Sequence, residues 1–316
     1  MELLEEMEEQ VEEITQTKER KPIRPELILG LIAGLEAVIL VLMLLVSLPA
    51  MLQEEDPEVL LHPSHQNELP LEETETPSEE TEPEETTAPT IPPEANPYGR
   101  LDFQYDQNNY LLCQRQDSYP GIDVSAFQGN IDWQKVADSG IQFAIVRLGY
   151  RGYGKAGKMV EDEYAKKNLE GAREAGLAVG AYFFSQALSI EEVDEEIEFM
   201  LNILGDFPLD MPLILDWEQV GVEGARSANM DARTLTDMQL HYCDIITEKG
   251  YRPMIYFNWY QSSRLMYLSE LEDYPFWLAL YQDRMTYPYK VEMWQYTDQG
   301  RVPGIEGNVD INVYMP

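Results

Sequence analysis

Histidine and cysteine are scarce in this chain: its 316 residues include three of the first and two of the second. A zinc site built from Cys and His ligands is excluded on that ground. Only His241 falls in the globular part, in a helix-like stretch, so a Ser–His–Asp triad would have to be built there. Cys113 and Cys243 are open to two readings, a bridge in an oxidising compartment or two buried thiols. Basic residues are also few, with 22 Lys and Arg against 58 Asp and Glu and a formal net charge of −36. No run of Lys and Arg interrupts the globular part. Phosphate binding needs a basic surface that releases counterions, so nucleic acid is excluded as a partner. Whatever chemistry the chain performs must rest on carboxylates.

The chain divides by composition. Residues 1–26 are an acidic helix with a basic flank, in which Leu4, Met7, Val11 and Ile14 keep heptad spacing. Two heptads are too few for a coiled coil, and a solvated amphipathic helix is the expectation. Residues 27–48 form an apolar run broken only by Glu36. About 22 residues at 1.5 Å rise span roughly 33 Å, enough to cross a bilayer core. The run is too long for a signal peptide and lacks a good cleavage site, so a retained anchor is expected. Lys18, Arg20, Lys21 and Arg24 precede it, and Glu54, Glu55 and Asp56 follow, which places the N-terminus in the cytoplasm and the rest outside. Glu36 either pairs with a partner helix or stays protonated in the span.

Residues 49–97 are rich in Glu, Thr and Pro and almost free of aromatics, too poor in apolar surface to offset the entropy of ordering. A disordered tether is expected, reaching roughly 40 Å as a coil and about 150 Å when taut. A lead-in segment, 98–118, precedes a globular domain at 119–316.

In that domain β-rich runs alternate with helical stretches. The runs GIDVS, QFAIVRLGY, LAVGAYFF, PLILDWE, PMIYFN, FWLALY, VEMWQY and GNVDIN make eight strands. Helices are expected around Trp133, Val136 and Ala137, from Glu161 to Ala175, from Ile190 to Leu204, and from Thr234 to Lys249. Alternating β and α units imply an α/β fold with a parallel sheet and right-handed crossovers. Eight strands in so short a domain suggest a closed barrel whose last helices are missing or reduced.

Barrel chemistry gathers where strands end. Asp123 lies in the first run, Asp216 and Glu218 close the fourth, and Asp310 lies in the last. Asp216 and Glu218, two apart on a strand, point to the same face. Like charges so placed cannot both ionise easily, and one pKa must rise. An acid and an anion side by side are what glycoside hydrolysis uses. Solvated acids at a strand end, or a cation-binding cluster, remain the alternatives, since D-x-E alone is a weak signal.

GIDVSAFQGNIDW, VGAYFF, LILDWE and MWQYTDQGRVPGIEGNVDIN occur in that order, and together they resemble glycoside hydrolase family 25, the muramidases. The resemblance runs from about Tyr119 to the C-terminus. It implies a (β/α)5(β)3 barrel, here preceded by the anchor and the acidic linker. It implies cleavage of the β-1,4 bond from N-acetylmuramic acid to N-acetylglucosamine, with retention and with no metal or cofactor. Glu218 would be the general acid and Asp216 its partner, with Asp123 and Asp310 shaping the site. Many members carry His where this chain has Phe183, a departure expected to remove a polar contact.

Sugar rings stack on aromatic planes, and Tyr182, Trp217, Tyr256, Trp277, Tyr281, Trp294 and Tyr296 lie in or near strands, about half of them expected to be barrel filling. Tyr182, Tyr256, Trp277, Tyr281, Trp294 and Gln295 are the substrate-binding candidates, with Tyr182 and Trp294 foremost. Residues 152–158 fit the phosphate-loop pattern G-x-x-x-x-G-K, but Met159 stands where Ser or Thr must hold magnesium. A flexible loop over the barrel mouth is expected instead. The whole reads as a bacterial, single-pass membrane enzyme whose partner is peptidoglycan. A glycan-binding module without turnover and a wall-piercing part of a membrane machine, with a protein partner at the cytoplasmic end or at Glu36, are the alternatives.

Overall fold

A computed structural model describes residues 92–316 of the chain. The segments 1–26 and 27–48 and most of the linker lie outside the described residues. Among those described, no helix is long and apolar enough to cross a membrane. The end of the expected disordered linker is a correction. Ala95 bridges Tyr289, Asn96 N donates to Pro288 O, and Lys290 pairs with Glu94 through backbone and side chain. Backbone bonds to a fixed loop supply the order that composition alone does not.

Two short strands, β1 (Phe103–Tyr105) and β2 (Leu111–Cys113), form an antiparallel hairpin in the lead-in. The barrel strands follow: β3 (Tyr119–Val124), β4 (Phe143–Arg151), β6 (Ala178–Ser185), β7 (Leu213–Trp217), β8 (Pro253–Asn258), β9 (Phe276–Ala279), β10 (Met293–Gly300) and β11 (Val309–Tyr314). A short β5 (Met159–Glu161) hangs on β4. Seven barrel strands, from β3 through β10, run parallel in order. The exception is β11, which closes the barrel antiparallel to both β10 and β3. A wholly parallel sheet is therefore corrected at its last strand. The connection from β10 to β11 is too short for a crossover helix and turns through Gly304 and Gly307, both at positive φ.

Helices α1 (Trp133–Asp138), α2 (Ala165–Glu174), α3 (Ile190–Leu204) and α4 (Ala232–Glu248) cover the early strands. Asp132, Ser189 and Asp231 cap three of them, each accepting a backbone N–H from the first turn. After β8 only the short α5 (Trp259–Arg264) and α6 (Leu268–Leu271) remain, and none separates the last three strands. The second helix starts later than its amphipathic pattern suggests, because β5 takes Met159–Glu161.

The core has two layers. One set of buried side chains lies between strands and helices, and a smaller set, including Phe143, Ile145, Tyr182, Ile214, Met254, Tyr256 and Trp277, fills the barrel. Gly121 makes room for the filling: a Cβ there would sit 2.3 Å from the Phe143 ring. Cys113 and Cys243 are buried free thiols. The 152–158 segment is a hairpin turn between β4 and β5, followed directly by a strand where a phosphate loop would open a helix, so that context is absent. The turn is also pinned rather than free. Gly152 N donates to Lys158 O, Arg151 to Gly157 O, and Arg226 N to Tyr153 O.

Candidate active site

Asp123 is the penultimate residue of β3, Asp216 that of β7, and Glu218 follows β7 directly. All three stand at the C-terminal rim of parallel strands. Asp310 is the second residue of β11 and would sit at the opposite rim were that strand parallel. Because β11 is reversed, its beginning meets the end of β3, and Asp310 and Asp123 become direct register partners. The four acids are 4–6% exposed.

Period-two geometry separates the β7 side chains. Asp216 and Glu218 turn inward, while Trp217 between them points to the helices, where its Nε1 donates to Ala187 O at 2.9 Å. The carbonyls at this strand end are held by side chains: Gln186 Nε2 donates to Glu218 O at 2.5 Å, and Gln261 Nε2 donates to Trp217 O. Several of the acids' own oxygens have no partner. Among the described residues, Asp216 Oδ1, Glu218 Oε1 and Asp310 Oδ1 are buried without a hydrogen-bond partner. Buried acceptors without donors are costly, and in an active cleft they mark where substrate hydrogens go.

Asp123 is the best-supported acid. Its Oδ2 accepts from Asn312 Nδ2 at 2.7 Å and from Gln295 Nε2 at 2.9 Å. Behind these stand further donors. Trp277 Nε1 donates to Asn312 Oδ1 at 2.8 Å, and the Tyr281 hydroxyl donates to Gln295 Oε1 at 3.0 Å, with the Tyr256 hydroxyl at 3.5 Å. Asn312 is a functional residue that the sequence reading missed. Its signal was available, because it lies two places after Asp310 on one strand and so shares its face.

Burial raises all four carboxyl pKa values. For Glu218 the next causes are the charges of Asp216 and Asp123, and for Asp216 that of Asp123, opposed by the Arg147 guanidinium. Asp310 is held well above the carboxylate range by burial and by Asp123. For Asp123 burial is again the largest cause, opposed by the hydrogen bonds from Asn312 and Gln295. One cleft thus holds groups suited to keep a proton beside groups suited to carry charge.

Tyr182, Tyr256, Trp277, Tyr281 and Gln295 join the acids. Tyr182 and Tyr256 meet the Trp277 ring edge-on at 6.4 and 4.9 Å. Trp277 is 1% exposed and supports Asn312 rather than offering a free face; Tyr281 is more open. Trp294 is corrected. It points outward, packs on Phe103 and Tyr296, and donates to Leu280 O at 2.8 Å. Its neighbour Gln295 takes the inward place. Tyr296 and Trp217 also belong to the outer layer. Phe183 faces outward too, against Phe199, so its departure from the family pattern removes nothing from the cleft.

The sequence model of Glycosyl hydrolases family 25 matches residues 122–305. An uncharacterised protein of Escherichia coli strain K12, YegX, is 32% identical over 209 residues, covering 61% of this chain and 68% of its own. The autolytic lysozyme of Clostridium acetobutylicum is 25% identical over 197 residues, covering 61% of this chain and 55% of its own. Among solved structures, the modular autolysin LytC from Streptococcus pneumoniae matches with a TM-score of 0.55 at 23% identity, covering 68% of this chain and 52% of that one. At that identity the last likeness speaks for the fold alone. The family model spans more than half of the sequence and takes in Asp123, Asp216 and Glu218; the chain belongs to glycosyl hydrolases family 25.

Proposed function

We propose that this glycoside hydrolase is an N-acetylmuramidase that cuts the β-1,4 bond between N-acetylmuramic acid and N-acetylglucosamine in peptidoglycan, with retention. The observation that carries the reading is the convergence of four buried acids on one rim, with oxygens of Asp216, Glu218 and Asp310 buried and without a hydrogen-bond partner among the described residues. Glu218, its proton retained by burial and by the charge of Asp216, donates to the glycosidic oxygen as the bond breaks. Asp216 carries the negative charge that offsets the developing cation, either directly or through a neighbouring group of the sugar. Asp123, fixed by Asn312 and Gln295, and Asp310, its register partner on β11, set the shape and charge of the floor. A relative named as a lysozyme supports the substrate class.

Release of new reducing ends from purified peptidoglycan, and its loss in Glu218→Gln, test the assignment. No release by the wild type would favour a glycan-binding module of the same fold. The apolar run 27–48 and its charge asymmetry support an anchored enzyme with its catalytic domain outside a bacterial cell. Protease added to intact cells should then degrade the domain; full protection would overturn that topology.

A further inference from the structure

Arg147 has no role in the chemistry described so far, yet it stands beside it. On β4 it has the parity of Phe143 and Ile145, which fill the barrel, while Ala144, Val146 and Leu148 face the helices. Its register partner on β6 is Tyr182. Its charge reaches both Tyr182 and Asp216. The residue is 7% exposed.

The side chain is held firmly by one edge. Nε donates to Asp162 Oδ2 at 2.8 Å, and Asp162 is in turn fixed by the backbone N–H groups of Ala126 and Tyr164. The guanidinium carbon lies 5.1 Å from the Phe127 ring centroid and 5.6 Å from that of Tyr150. This anchoring uses one of five N–H donors. Among the described residues no oxygen accepts from either Nη. An ion pair serving the fold alone would gain most by presenting two nitrogens to Asp162. Here a single bond through Nε suffices, and the planar Nη edge is left without an oxygen partner among the described residues, beside Tyr182 and Asp216.

We propose that Arg147 is a specificity-determining residue whose Nη edge receives an acyl oxygen of the lactyl substituent, the group that distinguishes muramic acid from glucosamine. The inference rests on the muramidase reading of the same cleft. Ionised carboxylates offer no donor and repel a second anion, whereas a guanidinium offers only donors in a fork that matches a carboxylate or an acyl oxygen. The lactyl group presents a carboxylate when free and an amide carbonyl when it carries a stem peptide. Glucosamine has no counterpart.

The test uses the full-length protein, Arg147→Lys and Arg147→Gln. Lysine keeps the charge beside Asp162, so the fold is retained, but it cannot present two coplanar donors. Three glycans are compared: peptidoglycan bearing stem peptides, the same glycan stripped to free lactyl carboxylates, and a chitin oligosaccharide without lactyl groups. Arg147→Lys should raise KM roughly tenfold on both muramyl glycans, with kcat and both limbs of the pH profile unmoved. A larger loss on the stripped glycan assigns the carboxylate, and a larger loss on the intact one assigns the amide carbonyl. The chitin oligosaccharide should bind wild type and variants alike.

Equal losses on all three glycans would overturn the proposal. So would an unchanged KM with a displaced acid limb, which would make Arg147 an electrostatic partner of Asp216 instead. The groups facing Asp216 in that case are Asp123, Tyr182, Glu218 and Tyr256, as well as Arg147 itself. Affinities for the same three glycans, measured by calorimetry, read the contact whether or not the bond is cut. A failure of the muramidase assignment and a failure of this contact are thereby told apart.

Discussion

Asp123 and Asp310 are direct register partners across the antiparallel β3–β11 pair, and both are buried. Two buried carboxyls so placed share one proton, and the amide donors of Asn312 and Gln295 on Asp123 favour its ionised form, which leaves the proton on Asp310. An amide can replace a protonated carboxyl as donor but cannot replace the acceptor. Asp310→Asn should therefore keep kcat/KM within about tenfold of wild type. Asp123→Asn sets an amide against the donors of Asn312 and Gln295 and should lose roughly a hundredfold or more. Reducing-end assays on peptidoglycan compare them, and equal losses would refute the shared proton.

The pH profile follows from burial. Glu218 must be protonated and Asp216 ionised for turnover, so kcat/KM should be bell-shaped, with its alkaline limb above the usual glutamate value of 4.5. The charge of Asp216 helps to raise Glu218. Removing it in Asp216→Asn should move the alkaline limb of the residual activity to lower pH, with rates reduced about a hundredfold or more. An alkaline limb that stays in place would mean that the two acids do not interact.

A raised acid also weakens the fold. Below pH 4.5 Glu218 is protonated folded and unfolded, and burial brings no ionisation penalty. Above it the unfolded chain ionises freely while the buried carboxyl resists, so the native state loses ground until pH passes the folded pKa. Glu218→Gln removes that penalty. Its melting temperature should exceed the wild type's by a few degrees at pH 8, at about 2–4 °C per kcal/mol, and match it near pH 4. Thermal melts at the two pH values decide; an equal gain at both would place the effect in packing.

Much of this was legible in the residues. A strand buried on both faces reads as an unbroken apolar run, so Leu213–Trp217 and its parallel neighbours stand out. The i, i+2 rule then fixed Asp216 and Glu218 on one side. The same burial hides the phase of a strand: with both faces apolar, no alternation says whether Trp294 or Gln295 turns inward. The direction of β11 was hidden for another reason. Its reversal depends on a short glycine turn, and only that reversal brings Asp310 to the rim.

The phase of β10 gives a prediction that separates the two aromatic layers. Trp294 lies between the strand and the lead-in hairpin, 5.1 Å from the Phe103 ring, and touches no acid. Tyr281 lies nearer the opening and donates to Gln295, which holds Asp123. Trp294→Phe should lower the melting temperature, since it removes buried contact and a hydrogen bond worth about 1 kcal/mol, while leaving KM unchanged. Tyr281→Phe should do the reverse, with little change in melting and a several-fold loss in kcat/KM as Gln295 loses its donor. Thermal melts and steady-state kinetics on the same two proteins read both axes. If Trp294→Phe raised KM without lowering stability, the outward placement of that ring, and with it the phase of β10, would be wrong.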